Sequence, residues 1–99
     1  MGKRKVRILD TASTAVAEIA FFIEGKGLPQ TAKKFVDEAF EFFDRLSDSV
    51  LEHKPCMYEP WRELEYRCVP YKKKYTIAYL SKEKEIIICE FISSKLIHW

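Results

Sequence analysis

The chain has 99 residues, 47% of them hydrophobic and 14% aromatic, which is enough to close one core but not two. We therefore expect residues 1–99 to form a single domain. Every apolar run is far shorter than the roughly 18 residues that span a bilayer, and no signal-peptide block follows the basic start at Lys3 and Arg4. The sequence thus predicts a cytoplasmic protein without membrane contacts.

The net charge of +2 is distributed unevenly along the chain. The first seven residues carry four bases and no acid, residues 8–53 carry nine acids against four bases, and residues 61–99 carry eight bases against five acids. An acidic middle between basic ends favours a partner that contacts only the ends, although solvated charges on an ordinary surface give similar counts.

The first predicted elements are a strand and a helix. Residues 3–9 are predicted to form a strand, because Val6 and Ile8 alternate with Lys5 and Arg7, which is the period of a half-buried strand. Asp10 begins a helical period and is predicted to cap the helix N-terminus. The apolar stripe of this helix consists of Ala12, Val16, Ile19 and Ile23, widened by Ala20 and Phe22. We expect the helix to reach about Glu24, where Gly25 and Gly27 end it.

The second predicted helix, over residues 31–46, has the clearest helical period in the chain. Pro29 stands where a proline suits the first turn of this helix. The apolar positions recur at helical spacing and are Ala32, Phe35, Val36, Ala39, Phe43 and Leu46. Charged residues cover the opposite side, which we interpret as a solvated face. Phe40 and Phe42 flank the stripe, where they either thicken the core or leave an apolar edge for a partner.

A loop and a β-meander follow. Residues 47–60 lack a period and contain two prolines, which predicts a loop. Residues 64–93 contain β-rich runs separated by polar turns, and residues 86–92 are nearly all apolar, as in a strand buried on both faces. The predicted fold class is therefore α+β, with the order β-α-α-β-β-β and a helical hairpin packed on a small antiparallel sheet. We expect the meander to provide the working face.

The cysteines are not spaced for metal binding. Cys56, Cys68 and Cys89 are odd in number, far apart and never form a C-x-x-C pair. This pattern indicates neither a disulfide framework nor a zinc site, and we expect all three to pack as small apolar side chains. No metal and no cofactor are expected.

The order of elements and several local motifs together resemble the RelE/ParE toxin family, which includes plasmid stabilisation proteins. Helix one resembles the family's "A-x-x-x-L-x-x-I-x-x-Y-I" in Ala12, Val16, Ile19, Phe22 and Ile23, and helix two its continuation in Ala32, Phe35 and Ala39. The meander resembles the family's strands in Tyr66, Arg67, Val69, Tyr75, Ile77 and Tyr79. The last strand, IIICEFISSK, is similar to the ending "V-x-I-x-x-V-x-H-x-R". The resemblance covers essentially the whole chain.

This resemblance implies a toxin of a type II toxin–antitoxin module, either a ribosome-dependent messenger RNA endoribonuclease or an inhibitor of DNA gyrase. RNA cleavage requires a base, an acid and cations that stabilise the phosphorane. The candidates are Glu63, Glu65 or Glu90 as the base, His98 as the acid, and as cations Arg67, Lys72, Lys73, Lys74 and Lys95. Glu90 and Ser93 stand where many members carry arginine and histidine, which favours gyrase inhibition and leaves enzymatic activity open. We also expect Glu90 to pair with Arg67 or Lys74.

The candidates for target binding are Lys72, Lys73, Lys74 and Trp99. We interpret the lysines first as a solubilising turn and second as a phosphate clamp, and Trp99 as a residue that stacks on a base. A terminal His-aromatic pair also resembles the ending of the YoeB branch. The resemblance further implies a cognate antitoxin, and an acidic one would suit the basic meander. The remaining alternative is a degenerate, non-toxic copy or a generic nucleic-acid-binding domain.

Overall fold

A computed structural model describes residues 4–47 and 54–94, and the structural statements below concern these residues. The elements are β1 (Lys5–Ile8), α1 (Asp10–Gly25), α2 (Pro29–Leu46), α3 (Glu59–Glu63), β2 (Arg67–Tyr71), β3 (Tyr75–Ser81) and β4 (Glu85–Ser93). The strands form one four-stranded sheet in the order β1-β4-β3-β2. The α+β class and the predicted order of its two long helices and four strands are confirmed, and the short α3 is an addition.

The sheet is mixed rather than antiparallel, because β1 pairs with β4 in parallel. Val6 lies opposite Ile86 and Ile8 opposite Ile88, whereas the pairs β2–β3 and β3–β4 are antiparallel. The predicted antiparallel sheet is therefore wrong for β1. Alternation within β1 shows that one face is buried but does not indicate the direction of the partner, and the long connection through two helices permits parallel pairing.

The helix α1 packs on the sheet through small side chains. Ala12 and Val16 are completely buried and Ala20 nearly so, which lets the helix lie close to the strands. Leu9 occupies the N-cap position and no side chain caps the helix, so the predicted Asp10 cap is wrong. Asp10 lies instead in the first turn, where its negative charge interacts favourably with the positive end of the helix dipole.

The apolar stripe of α1 is narrower than predicted. Phe22 is 63% exposed and its neighbour Phe21 is 76% exposed, while Ile19 and Ile23 pack against the edge of the core. The chain leaves the helix through Gly27, whose φ of +84° is the left-handed conformation that glycine adopts without strain. The predicted role of this glycine at the end of the helix is confirmed.

The helix α2 begins at Pro29, in the first-turn position that the sequence predicts. Its buried positions are Ala32, Phe35, Ala39, Phe43 and Leu46, in agreement with the helical period. Phe40 and Phe42 are partly buried against the same core, and the ring of Phe42 lies 4.9 Å from that of Tyr71. The interpretation that these two residues thicken the core is confirmed. No helix within the described ranges has both the length and the hydrophobicity to cross a membrane.

The central strands of the sheet are covered on both faces. On the first, which we call the helix-covered face, Ile77 and Phe91 pack into one core with α1 and α2. On the second, the α3-covered face, Ala78 packs with Trp61 of α3. The predicted loop over residues 47–60 thus leads into a short helix, and residues 48–53 lie outside the described residues.

Candidate functional site

The exposed surface of the meander lies mainly at its two ends. Ile77 and Ala78 of β3 and Ile86 and Ile88 of β4 are completely buried. One cavity lies beside α1 and the β2–β3 turn, and another lies beside α3 and the β3–β4 turn. The working face predicted for the meander is therefore reduced to these two regions.

The larger cavity, of about 750 Å³, is a groove between α1 and the β2–β3 turn, which we call the α1 groove. It is lined by Ala15, Glu18, Ile19, Phe22, Lys73, Lys74, Tyr75, Phe91, Ile92, Ser93 and Ser94. Within it, the rings of Tyr75 and Phe91 stack with their centroids 5.1 Å apart. Because apolar and aromatic side chains dominate this lining, the groove suits an apolar segment with charge at one end.

Backbone contacts hold two lysines at the rim of the α1 groove. Lys73 has a φ of +61°, and the N–H of Ser94 donates to the carbonyl of Lys74 at 2.9 Å. The hydroxyls of Thr76 and Ser94 are also hydrogen-bonded, at 2.9 Å. The turn is thereby joined to the end of β4, and the exposed side chains of Lys73 and Lys74 border the groove.

Phe22 borders the groove on the α1 side, a role that the sequence analysis missed. The Nζ atom of Lys26 lies 4.5 Å from the centroid of its ring. The interpretation of Phe22 as a core residue is wrong, because it lies at the flank of the stripe. The adjacent pair Phe21 and Phe22 gave no clear signal of exposure, because neighbouring helix residues can both contact one core, as Phe42 and Phe43 do in α2.

Lys72 differs from the two lysines that follow it. It forms an ion pair with Glu38 of α2, and its Nζ atom lies 5.6 Å from the centroid of the Tyr71 ring. The hydrogen bond between Lys72 and Glu38 lowers the pKa of the Glu38 carboxyl and raises the pKa of the Lys72 amine. Lys72 therefore attaches the turn to α2, and only Lys73 and Lys74 border the groove.

Two predicted catalytic residues, Arg67 and Glu90, lie in the sheet, and the strand register separates them. Arg67 lies opposite Tyr79, and Glu90 lies opposite Ala78, the preceding residue of β3. Because successive side chains of a strand alternate, these positions belong to opposite faces. Burial raises the pKa of the Glu90 carboxyl, whereas an adjacent guanidinium would lower it.

Glu90 shares the α3-covered face with a tyrosine and a thiol. Burial raises the pKa of the Tyr66 hydroxyl and the pKa of the Cys89 thiol. Both therefore hold their protons more tightly than usual, which does not suit proton transfer near neutral pH. Cys89 is buried, as expected for a cysteine that packs as a small apolar side chain.

The other two cysteines form a disulfide, so the prediction that all three are apolar fillers is wrong for them. Cys56 and Cys68 are bonded, with their Cα atoms 4.9 Å apart. The N–H of Cys56 donates to the carbonyl of Tyr66 at 3.0 Å, and the N–H of Cys68 donates to that of Lys54 at 3.2 Å. The sequence spacing of these two cysteines could not indicate the bond, because Cys68 comes back beside Cys56 only after the chain has passed through α3.

The smaller cavity, of about 450 Å³, is called the basic cleft below. It is lined by Pro55, Arg62, Glu65, Arg67, Leu80, Ser81 and Lys82. Of its cations, Arg67 was a candidate from the sequence, whereas Arg62 and Lys82 were missed. Each is isolated along the chain, and the fold brings Arg62 of α3, Arg67 at the start of β2 and Lys82 after β3 to one cavity at this end of the sheet.

The remaining candidates, Lys95, His98 and Trp99, lie outside the described residues, so their roles stay predictions. Within residues 4–47 and 54–94, no group of three His, Cys, Asp or Glu residues could hold a metal ion. Comparison with protein-family models and with curated protein sequences finds no match to this chain. The RelE/ParE resemblance therefore stays a prediction based on the motifs given above.

Proposed function

We propose that the chain is the toxin of a type II toxin–antitoxin module, a single RelE/ParE-like domain that arrests bacterial growth until a cognate antitoxin neutralises it. Inhibition of DNA gyrase is favoured over ribosome-dependent cleavage of messenger RNA. The observation that carries the proposal is the α1 groove, an apolar cavity with two lysines on its rim.

The α1 groove has the properties of a surface that another protein covers. Phe22, which is 63% exposed, borders an apolar cavity of about 750 Å³. Large apolar side chains beside such a cavity mark interaction sites more often than isolated exposed residues do. Lys73 and Lys74 add positive charge on the turn side, while Glu18 adds negative charge on the α1 side. An acidic, amphipathic antitoxin segment would bury its apolar side chains here and place its carboxylates near the lysines.

The described candidates favour binding over RNA cleavage. Arg67 and Glu90 belong to opposite faces of the sheet, so they do not form one catalytic pair. Tyr66 and Cys89 lie near Glu90 but have raised pKa values. Gyrase inhibition requires a complementary surface and no proton transfer, which agrees better with this arrangement.

The proposal places the toxin in the cytoplasm, where thiols normally stay reduced. We therefore expect Cys56 and Cys68 to be thiols in growing cells and to form their disulfide on oxidation. The measurement is acid quenching of cells, alkylation of free thiols and mass spectrometry of the peptides. A disulfide that is already complete in quenched, unstressed cells would contradict the cytoplasmic assignment.

Induced expression in a bacterial host tests the function directly. Growth arrest with DNA breaks, an SOS response and intact messages is the result expected for gyrase inhibition. Rapid, codon-linked cleavage of messages with intact supercoiling would instead assign the RelE/YoeB-like alternative. Expression of soluble, folded protein without a growth defect would contradict the toxin proposal and favour a degenerate copy or a generic nucleic-acid-binding domain.

A pair of triple variants tests the groove as the antitoxin site. We expect Phe22→Ser with Lys73→Gln and Lys74→Gln to abolish rescue by the cognate antitoxin, which we expect a small open reading frame beside the gene to encode. The matched control is Phe21→Ser with Lys33→Gln and Lys34→Gln, which makes the same chemical changes outside the groove and should leave rescue intact. Equal loss of rescue in both variants would show that the groove is not the docking site.

A further inference from the structure

A second site lies at the other end of the meander, in the basic cleft. Its cavity is lined by the cations Arg62 of α3, Arg67 at the start of β2 and Lys82 after β3. Arg4 does not line the cavity, but its Nη1 atom donates to the hydroxyl of the lining residue Ser81 at 2.9 Å. Glu65 is the one carboxylate that lines the cavity. Cations therefore outnumber acids around this small space.

We propose that the basic cleft binds a phosphate monoester of about mononucleotide size. A guanidinium presents paired N–H donors that match phosphate oxygens, and two of the three lining cations are arginines. A monoester carries a charge of roughly −1.5 to −2 near neutral pH and three acceptor oxygens, so it uses more of these cations than a singly charged diester. The cavity of about 450 Å³ lies within the range of small-molecule sites.

The backbone holds the walls of the cleft in place without a ligand. Glu65 has a φ of +62°, and its N–H donates to the carbonyl of Arg62 at 3.0 Å, which ends α3 in a left-handed residue. On the opposite wall, the N–H of Lys82 donates to the carbonyl of Glu85 at 2.9 Å. The Pro55–Arg67 bridge joins the loop before α3 to β2. Such preorganisation reduces the entropy lost when a ligand binds.

The carboxylate of Glu65 favours a monoester over a continuous nucleic-acid strand. A carboxylate accepts hydrogen bonds from hydroxyl groups and repels a second phosphate. A sugar hydroxyl next to the bound phosphate would therefore be tolerated better than the next phosphate of a chain. The inference does not depend on the toxin assignment, because the basic cleft and the α1 groove share no residue.

Titration of the full-length protein, followed by the amide and arginine resonances in NMR spectra, tests the ligand class. The probes are inorganic phosphate, a nucleoside 5′-monophosphate, the same nucleoside without phosphate, and a dinucleotide linked by a phosphodiester. We expect phosphate and the monophosphate to shift the resonances of Arg62, Arg67 and Lys82, and the nucleoside to leave them unchanged. Equal binding of the nucleoside, tighter binding of the dinucleotide than of the monophosphate, or no response to phosphate would overturn the proposal.

Charge-matched variants test the location. The double variant Arg62→Gln with Lys82→Gln changes two exposed side chains and is expected to weaken monophosphate binding by at least about tenfold. The control, Lys33→Gln with Lys34→Gln, removes the same charge from exposed positions of α2 and should leave binding unchanged. Glu65→Gln should tighten the binding of inorganic phosphate. Equal weakening by both double variants would show that general surface charge, and not the cleft, attracts phosphate.

Discussion

The two faces of the sheet are covered by different physical means. On the helix-covered face, α1 and α2 bury a continuous apolar core that contains Val16, Phe43 and Phe91. On the α3-covered face, a smaller cluster around Trp61 is attached by the Cys56–Cys68 disulfide and a few backbone hydrogen bonds. Burial stabilises the first arrangement, while a covalent bond compensates for the small apolar area of the second.

This difference predicts which face depends on apolar packing and which depends on the disulfide. The helix-covered face should respond to the loss of apolar volume and be indifferent to reducing agents. The α3-covered face should instead respond to reducing agents and depend less on apolar volume. The segment that covers it contains one short helix, Glu59–Glu63, which could not fold alone. Substitutions on each face therefore test whether the two faces are stabilised by different interactions.

The largest effect is expected in the core of the helix-covered face. Phe43 is fully buried, and its ring centroid lies 5.5 Å from that of Phe40 and 6.0 Å from that of Phe91. We expect Phe43→Ala to lower the free energy of unfolding by about 3–5 kcal/mol, through lost burial and the cavity left behind. Urea denaturation measures this change.

The control is Phe21→Ala, on a side chain that is 76% exposed. It should change the free energy of unfolding by less than about 0.5 kcal/mol. Similar losses for Phe43→Ala and Phe21→Ala would mean that the helix-covered face is not the main source of stability.

The helix-covered face was largely predictable from the sequence, and the α3-covered face was not. The period of α2 places Phe35, Ala39 and Phe43 on one side, because burial against a sheet imposes a regular spacing on a helix. Residues 54–66 have no such spacing, since they are held by a disulfide and by pairing with the start of β2. Contacts of that kind join residues without leaving a periodic pattern.

The second prediction concerns the cover of the α3-covered face. Reduction of the disulfide, or the double variant Cys56→Ala with Cys68→Ala, should destabilise the protein by about 3 kcal/mol, as expected for a loop of this order of length. Trp61 is 8% exposed, so its fluorescence should shift to longer wavelength as the cover loosens. The measurement is denaturation of a Trp99→Phe background with and without a dithiol reductant.

The control for reduction is Cys89→Ala in the same background, which keeps the disulfide and should preserve the full response to the reductant. The amides of Cys56 and Cys68, which donate to Tyr66 and Lys54, should exchange faster after reduction. A uniform increase in exchange over α1 and α2 as well would show that the two faces are not independent.

The candidate sites were predictable only where their residues are adjacent in sequence. Lys73 and Lys74 stand out as a run and do border the α1 groove. Arg62 and Lys82 are separated by a strand, a turn and another strand, so only the three-dimensional fold brings them to one cavity. The Arg67–Glu90 pair fails for a related reason, because a shift of one residue along a strand changes the face.

The third prediction compares buried Tyr71 on one face with partly buried Tyr66 on the other. Tyr71, on the helix-covered face, has a buried hydroxyl without a hydrogen-bond partner among the described residues. Tyr71→Phe should therefore raise the free energy of unfolding by about 1 kcal/mol. Tyr66 is partly buried on the α3-covered face, so Tyr66→Phe, which keeps the ring, should change that free energy by less than about 0.5 kcal/mol. Thermal denaturation of both variants under identical conditions compares the two effects, and equal stabilisation by both would contradict the comparison.

The smallest expected effects are pH-dependent and have opposite signs for two glutamates. Burial raises the folded-state pKa of Glu90 above its unfolded value, so its favourable contribution is present at low pH and lost as pH rises through the raised pKa. The hydrogen bond from Lys72 lowers the folded-state pKa of Glu38, so its contribution is present at neutral pH and lost as pH falls through the lowered pKa.

At neutral pH, Glu90→Gln should therefore raise the free energy of unfolding and Glu38→Gln should lower it. Urea denaturation from about pH 7 to about pH 3 should show both differences shrinking toward zero once the carboxyls are protonated in the folded and unfolded states. Added salt should weaken the Glu38 effect more, because the Glu38–Lys72 pair is exposed whereas Glu90 is partly buried. Destabilisation by Glu90→Gln at neutral pH would contradict this difference. It would mean that a favourable charge interaction stabilises ionised Glu90, as the Lys72 ion pair stabilises Glu38, and that burial does not dominate.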